Sequence, residues 1–470
     1  MVEIALDGKR KKILTILFGI ATFFSFICML TFVQKFIYNF AFVKILHSSG
    51  SFEYWRQILL HISFISTAMF ALGFLLVSRS NSLKVTSSNV FATVILLSFA
   101  LAQIVMIFDR WNMGINDSRY DFGDFFTAAS CSIQMGEDIC PPVSMLIYQI
   151  ARNTFPGLNG NPWADYSIMM DSFVAGYYIQ LFFIFSLAPL AILIYKNING
   201  TGLQKAFFAV AIFLSRPFMI GFQRGNSVMQ ALICVMIFVM CYQSKDKLIK
   251  EIALLALALA FCFKIYTAVF GVLLLKEKDI KSAVRCAVYA LALFILPVFC
   301  HTTGVESMIL YIKALFGYVS ETTLPSQLSI GGILKLLCKN LGAESAYSVI
   351  FPIAMLIFVA GCAFIIIKSS KKWQGYFACA AACVMIPTLS WPYTAIYFSI
   401  AIIAMLNDKN KGWNEYFVLV CFMFVFTFNY YKLCRLTEII FGVGTWGVYL
   451  LVAFIAVVAD CFLQLKAEKL

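Results

Sequence analysis

The sequence predicts an all-α polytopic membrane protein, and its composition is the first reason. Of the 470 residues, 62% are hydrophobic and only 13% are charged, whereas about one-quarter of the residues in a soluble globular domain are charged. Apolar runs of ~18 or more residues recur along the chain, and each is long enough to cross a hydrocarbon layer about 30 Å thick as a helix.

The distribution of charge supports the same fold class. The net charge is +13, from 36 basic and 23 acidic residues. If the amino terminus is cytoplasmic and the apolar runs alternate in direction, 22 of the 36 basic residues fall on cytoplasmic segments. This is the positive-inside pattern of membrane proteins, so the basic surplus does not indicate a nucleic-acid partner. We expect a multi-pass protein of the plasma or inner membrane with both termini cytoplasmic.

The amino-terminal part of the chain predicts three spans and a polar loop. The run 13–33 is too long for the core of a signal peptide and no small-residue cleavage site follows it, so we interpret it as a retained helix. The runs 57–77 and 89–108 follow, and they lead to a first outer loop over residues 109–171.

Within this loop, apolar residues at helical spacing over 121–134 predict an amphipathic helix lying in the membrane interface. Pro141 and Pro142 are suited to open a second, short helix over 143–155, and 157–162 is a turn-rich connector.

Two later runs predict broken hairpins rather than single spans. The run 252–275 has basic residues on both sides and contains Lys264 near its centre. One span cannot begin and end on the same side, so we predict two short helices with Lys264, Ile265 and Tyr266 at the tip. Broken backbone at this depth is tolerated where it lines a cavity. Two short runs joined by residues 387–393 repeat this pattern.

The remaining runs complete a single membrane domain over residues 1–470. A second outer loop is expected over 301–347, with a short amphipathic helix inside it. No soluble domain or linker is evident, so we predict one bundle of about 12 to 14 spans or half-spans. The other predicted spans are 172–195, 206–220, 227–242, 282–299, 349–367, 417–430 and 439–462.

The first outer loop carries the candidate general base. Its first part, residues 109–142, contains six carboxylates: Asp109, Asp117, Asp121, Asp124, Glu137 and Asp138. A carboxylate held beside a bilayer is costly and therefore indicates function. We interpret Asp109, Asp117, Glu137 and Asp138 as solvated. Asp121 and Asp124 are the candidates to accept a proton from an attacking hydroxyl. A helix N-cap is the structural alternative for Asp121.

Arg224, Asn226 and Lys264 are candidates to bind an anionic, lipid-linked substrate. Arginine offers a planar fork to a phosphate and lysine a point charge. Structural alternatives exist, because Arg224 could anchor a helix at the headgroups and Lys264 could form an ion pair within its hairpin. Trp163 and Trp391 are typical of the aromatic belt at a membrane interface.

Several classes of cofactor are not indicated. The sequence has no P-loop and no dinucleotide-binding glycine motif. Its three histidines are widely separated, and no metal-binding spacing occurs. We expect no cofactor and no obligatory metal, although the outer carboxylates leave a divalent cation open. Cys131 and Cys140 lie on the outer loop and could form a disulfide in an oxidising compartment.

Four motifs together resemble glycosyltransferase family 87, the mannosyltransferase-like membrane enzymes of the GT-C class. They are Asp121-Phe-Gly-Asp124-Phe-Phe-Thr-Ala-Ala129 followed by Pro141-Pro142, then Arg224-Gly-Asn226, Phe263-Lys264-Ile-Tyr266 and Ser390-Trp391. The sequence departs from the family at Pro392-Tyr393, where histidines are usual, and in the shorter spacing between Gly136 and Pro141.

The resemblance implies a GT-C-like bundle and transfer of a single hexose, with inversion, from a polyprenyl phosphate to a glycolipid or surface glycan on the outer face. By register it assigns the base to Asp121, with Asp124 as the fallback, and the donor phosphate to Arg224, Lys264 and Asn226. Tyr266, Trp391 and Tyr393 become candidate substrate-binding residues.

Two other functions remain open. An oligosaccharide polymerase or ligase would need arginines in a large late loop, and 301–347 has none. A lipid-linked-sugar flippase or other transporter would show two related halves, which we do not detect.

Overall fold

The computed structural model confirms the all-α class. Within the described residues, the exception is a two-stranded antiparallel ribbon in which β1 (Val2–Ala5) pairs with β2 (Ser82–Val85). The described residues are 2–5, 8–33, 67, 71, 74, 78, 82–85, 122–132, 140–200, 205, 208–209, 212–213, 215–300, 306, 308–309, 311–313, 328–387, 390–408, 412–426 and 445–467.

The predicted elements reappear as helices wherever the chain is described. The run 13–33 falls within α1, whereas most of the predicted spans 57–77 and 89–108 lies outside the described residues. The α-helices are α1 Gly8–Val33, α2 Gly123–Cys131, α3 Pro142–Arg152, α4 Pro162–Asp171, α5 Phe173–Asn197, α6 Arg216–Gln223, α7 Val228–Cys241, α8 Lys247–Phe263, α9 Val272–Lys276, α10 Ile280–Ile295, α11 Ile330–Asn340, α12 Tyr347–Lys368, α13 Lys372–Met385, α14 Phe398–Asn407, α15 Trp413–Phe426 and α16 Thr445–Ala467. Short 3₁₀ helices cover Ile265–Gly271, Leu296–Cys300, Glu344–Ala346 and Pro392–Tyr397.

Three helical segments of the described chain are long and apolar enough to cross a membrane: Ile280–Cys300, Glu344–Lys368 and Gly447–Lys466. Large apolar side chains on them point away from the protein, including Leu356, which is 71% exposed. Such residues are stable in contact with lipid tails but not with water. Four shorter apolar helices accompany them, and the chain is therefore an integral membrane protein.

Helix α13 lies at the centre of the bundle, and every residue from Trp373 to Met385 is buried. Most of these residues are alanine, cysteine or glycine, whose small side chains let neighbouring helices approach closely. The buried Gln374 donates a 2.7 Å hydrogen bond to the Asp460 carboxylate of α16. Asn414 and Gln464 also donate to this carboxylate, so its burial is compensated by three amide donors.

The predicted broken hairpin around Lys264 is confirmed. Helix α8 ends at Phe263, Lys264 is extended with φ −147° and ψ 106°, and the chain returns through a 3₁₀ helix and α9. Lys250 forms an ion pair with Asp279 across the open end of the hairpin. Hydrogen bonds from Lys250 and Ser282 lower the pKa of Asp279 to about 2, so this carboxylate is charged at neutral pH.

The second predicted hairpin, α13–α14, is also confirmed, and its tip meets the first one. The rings of Tyr266 and Tyr397 pack edge to face with centroids 5.9 Å apart. Lysines gather at the opposite end of the bundle, where Lys276 donates to the Ser369 carbonyl and Lys372 to Gln243. The two tips therefore define one end of the bundle, and these lysines define the other.

Candidate active site

Helix α2 presents Asp124 in its first turn. Its apolar residues Phe125, Phe126 and Ala129 are buried, and the helix packs against α3 and α4. The amphipathic helix predicted over 121–134 is therefore present. Its apolar face packs on protein, and its position in the membrane interface stays a prediction.

The turn Arg224–Asn226 ends α6 with a closed hydrogen-bond pattern. The N–H of Gly225 donates to the Phe222 carbonyl at 3.0 Å, and the N–H of Asn226 donates to the Gly221 carbonyl at 3.1 Å. Gly225 has φ +61°, the left-handed conformation that this type of helix end requires. The sequence Arg-Gly-Asn therefore fixes the direction of the Arg224 side chain through its local backbone.

The backbone of this turn also binds α2. The Arg224 carbonyl accepts the N–H groups of Asp124 at 3.0 Å and Phe125 at 3.3 Å. The first N–H groups of a helix have no partner within it, so a carbonyl from 100 residues along the chain caps α2. Asp124 and Arg224 are thus joined through main chain as well as side chains.

The Asp124 carboxylate is held by three nitrogen donors. Arg224 Nε donates at 2.9 Å to Oδ1 and at 2.8 Å to Oδ2, and Arg224 Nη2 also donates to Oδ1. Asn226 Nδ2 donates to Oδ2 at 2.7 Å. Asn226 is itself oriented by the N–H of Val228, which donates to its Oδ1 at 3.0 Å. The hydrogen bond with Asp124 raises the pKa of Arg224, which therefore stays charged.

The other faces of the Arg224 guanidinium are bounded by the tip of the α13–α14 hairpin. Its central carbon lies 5.5 Å from the centre of the Trp391 ring, a cation–π distance. The Tyr393 hydroxyl interacts with Asn226 and with the charges of Asp124 and Arg224. Arg224 Nη1 has no hydrogen-bond partner among the described residues, and the side chain is 42% exposed. One edge of the arginine is fixed, and the other can receive an anion.

The structure brings five predicted site residues together: Asp124, Arg224, Asn226, Trp391 and Tyr393. Tyr266 joins them indirectly, because its partner Tyr397 lies in the same 3₁₀ helix as Tyr393. Lys264 stands at the hairpin tip beside Tyr266. Among the described residues its side chain contacts neither Asp124 nor Arg224, and no carboxylate pairs with it. Asp121 lies outside the described residues, directly before Phe122.

Tyr166 is a site residue that the sequence did not indicate. Its hydroxyl lies 3.8 Å from the position that a Cβ on Gly123 would occupy, and it contributes to the electrostatic environment of Arg224. No motif marks it, because its place follows only from the packing of α4 on α2. The second outer loop also reaches the site, since the N–H of Leu328 donates to the Ser390 carbonyl at 3.0 Å.

An apolar groove of about 360 Å³ adjoins the site. Phe125, Ser227 and Phe263 line it, and they are the immediate neighbours of Asp124, Asn226 and Lys264. Ile150 and Phe185 also line it and are more than half exposed. The groove therefore opens on the apolar surface of the protein.

The described residues contain no group of three or more His, Cys, Asp or Glu side chains placed to hold a metal ion. Five of the six carboxylates in residues 109–142 lie outside these residues, so metal independence stays a prediction. Cys131 and Cys140 are both described and carry thiols rather than a shared disulfide.

Replacing Gly225 with alanine should destabilise the protein by about 2 to 4 kcal/mol, because strain and overlap add. The new Cβ would lie 2.5 Å from Phe122 Cδ1 and 2.9 Å from Phe125 Cβ, at a backbone φ of +61°. Thermal unfolding in detergent measures the loss. Gly342→Ala is the matched control, since Gly342 has φ +64° and nothing within 4 Å of its added Cβ. Equal losses in the two variants would show that the phenylalanines move aside.

Together, the apolar helices and the arginine–carboxylate site define an integral membrane protein whose site at one end of the bundle suits an anionic substrate. The family model of glycosyltransferase family 87 matches residues 170–389. This match supports the assignment of the chain to that family and, with it, a membrane glycosyltransferase. The matched region includes Arg224, Asn226, Lys264 and Tyr266. No curated protein and no solved structure matches the chain.

Proposed function

We propose that this protein transfers one mannose-like hexose, with inversion, from a polyprenyl phosphate to a hydroxyl of a glycolipid or surface glycan. The observation that carries the proposal is the Asp124–Arg224–Asn226 cluster, which leaves one guanidinium edge open, together with an apolar groove lined by the neighbouring residues Phe125 and Ser227. A lipid-linked sugar phosphate has the matching chemistry, because a hydrocarbon chain and an anion lie at adjacent positions in one molecule.

Arg224 and Lys264 bind the donor phosphate in this proposal. Arg224 is locked by Asp124 and Trp391, so binding an anion requires little additional ordering of its side chain. Lys264 supplies a second cation from the hairpin tip, and its neighbour Phe263 lines the groove. Asn226 acts by orienting the carboxylate that holds Arg224.

Asp121 is the general base. The Asp124 carboxylate already accepts hydrogen bonds from Arg224 and Asn226, so both of its oxygens are engaged in holding the arginine. Asp121 lies three residues earlier in the chain, at the position to which the family resemblance assigns the role. The acceptor oxygen attacks the anomeric carbon, the bond from that carbon to the phosphate oxygen breaks, and the phosphate leaves with the electron pair. The acceptor proton passes to Asp121.

Charge stabilisation of the leaving phosphate is the main contribution of Arg224 and Lys264, because preorganised cations act most strongly where charge develops. Trp391, Tyr393 and Tyr266 form the aromatic wall on which the transferred sugar packs. Tyr393 stands where the family has histidines, and its hydroxyl can donate to a sugar or phosphate oxygen.

We place the site on the outer face and both termini in the cytoplasm. The lysine-rich end of the bundle lies opposite the site, as the positive-inside rule requires of a cytoplasmic end. The loops 109–171 and 301–347 then belong to the outer side of a single domain, residues 1–470.

The donor class can be tested with purified protein in lipid nanodiscs. A radiolabelled mannosyl polyprenyl phosphate is expected to give labelled acceptor glycolipid and one released polyprenyl phosphate per transfer, whereas the same sugar on a nucleoside diphosphate gives none. Transfer from the nucleotide sugar alone would overturn the proposal. In proteoliposomes, movement of the donor across the bilayer without transfer would indicate a flippase, and transfer of whole oligosaccharides would indicate a polymerase or ligase.

A further inference from the structure

Trp163 occupies an unusual position for a large aromatic residue. It is 86% exposed, yet it lies on α4, which packs against α2, the helix that carries Asp124. Its own helix is firmly held, because the buried Asp165 pairs with Arg152 of α3 and accepts the N–H groups of Asn159 and Gly160. An exposed ring on a rigid support is suited to binding, since little entropy is lost when a partner packs on it.

The chain on either side of Trp163 carries amide side chains and little charge. In the 18 residues from Asn153 to Met170 the only charged side chain is Asp165, which is buried in its ion pair. The Asn159 side-chain oxygen accepts the N–H of Asn161, and the Asn161 side-chain oxygen accepts the N–H groups of Trp163 and Ala164. These bonds fix which atom of each amide is the oxygen. The two Nδ2 groups have no partner among the described residues.

This surface is continuous with the candidate active site. Tyr166 follows Trp163 by three residues, and side chains at this spacing on a helix are neighbours, about 5 to 6 Å apart at Cβ. Tyr166 in turn lies beside Gly123 and within the electrostatic environment of Arg224. A chain of sugars that leaves the site over Tyr166 would therefore reach Trp163 next.

We propose that Trp163, Asn159 and Asn161 form an acceptor subsite for a neutral glycan at least two sugars long. The apolar C–H face of a pyranose packs on the Trp163 ring, because an indole combines apolar area with a polar edge. The amide groups of Asn159 and Asn161 donate to its hydroxyl oxygens. Residues 153–170 contain no cation, so this stretch offers no charged partner to a phosphate or carboxylate group. The proposal rests on the proposed function and narrows its acceptor to an extended glycan.

The first test compares two acceptors, decyl mannoside and decyl mannotetraoside, with wild-type protein and a labelled polyprenyl-phosphate donor. Trp163→Ala should raise the KM for the tetrasaccharide about tenfold relative to the KM for the monosaccharide, which corresponds to the loss of one stacked ring. Trp163→Phe should restore most of the difference. An unchanged ratio of the two KM values in Trp163→Ala would overturn the subsite.

A second measurement needs no transfer. Saturation-transfer NMR with soluble mannotetraose should show contact with wild-type protein and a weaker signal with Trp163→Ala. If wild-type protein binds mannotetraose through Trp163 but transfers sugar to neither acceptor, the proposed reaction fails while the glycan subsite stands. In nanodiscs of brominated lipid, a loss of fluorescence quenching in Trp163→Ala would place the ring in the bilayer and overturn the subsite.

Discussion

Asp121→Asn is expected to lower kcat by about 10²- to 10⁴-fold, the range that a positioned general base contributes. The substitution keeps the shape of the side chain and removes its ability to take the acceptor proton. The KM for the polyprenyl-phosphate donor should change little, because the donor phosphate is assigned to Arg224 and Lys264. Steady-state transfer of labelled sugar, at saturating acceptor, measures both parameters.

Asp124→Asn is the informative comparison for Asp121→Asn. This substitution weakens the hydrogen bonds between residue 124 and Arg224. The KM for the donor should therefore rise, and both kcat and the unfolding temperature should fall. If Asp124→Asn is inactive with unchanged donor binding while Asp121→Asn still transfers, the base is Asp124. Full activity in both variants would remove the catalytic interpretation of the first outer loop.

The broken hairpins could be predicted from sequence because they follow from a simple constraint. A run with lysines on both sides and one at its centre cannot cross the membrane once, and the structure indeed breaks α8 at Lys264. The helix over 121–134 could be predicted for an equally local reason, since its apolar spacing is helical. Such predictions need no knowledge of distant contacts.

The internal arrangement of the site could not be predicted, because it depends on contacts between distant parts of the chain. Arg224 and Asp124 were both candidates, but nothing local indicates that they bind each other, since they lie 100 residues apart. The capping of α2 by the Arg224 carbonyl and the position of Tyr166 have the same origin. Trp163 resembles an interfacial belt residue in sequence, and only its exposure on a helix held by the Arg152–Asp165 pair suggests another role.

Arg224→Lys is expected to reduce kcat/KM for the donor by about 10²-fold, although it keeps the positive charge. A lysine has no planar fork, so it cannot replace the two nitrogens that bind Asp124, nor the flat surface that stacks on Trp391. The free ammonium would no longer be held in the orientation that receives a phosphate, and orientation of this kind is worth several kcal/mol in catalysis. The loss should divide between a higher KM for the donor and a lower kcat.

The matched control is Arg285→Lys, because Arg285 also pairs with a carboxylate, Glu251, but at the hairpin's lysine-rich end. It should leave the donor kinetics unchanged. The double variant Arg224→Lys/Asp124→Asn should lose less than the two single losses combined, since the partners act through one contact. Fully additive losses would mean that Asp124 does not act through Arg224. If Arg224→Lys itself keeps wild-type donor kinetics, Arg224 has only a structural role, as the link between α2 and α6. The donor phosphate would then be bound by Lys264 alone.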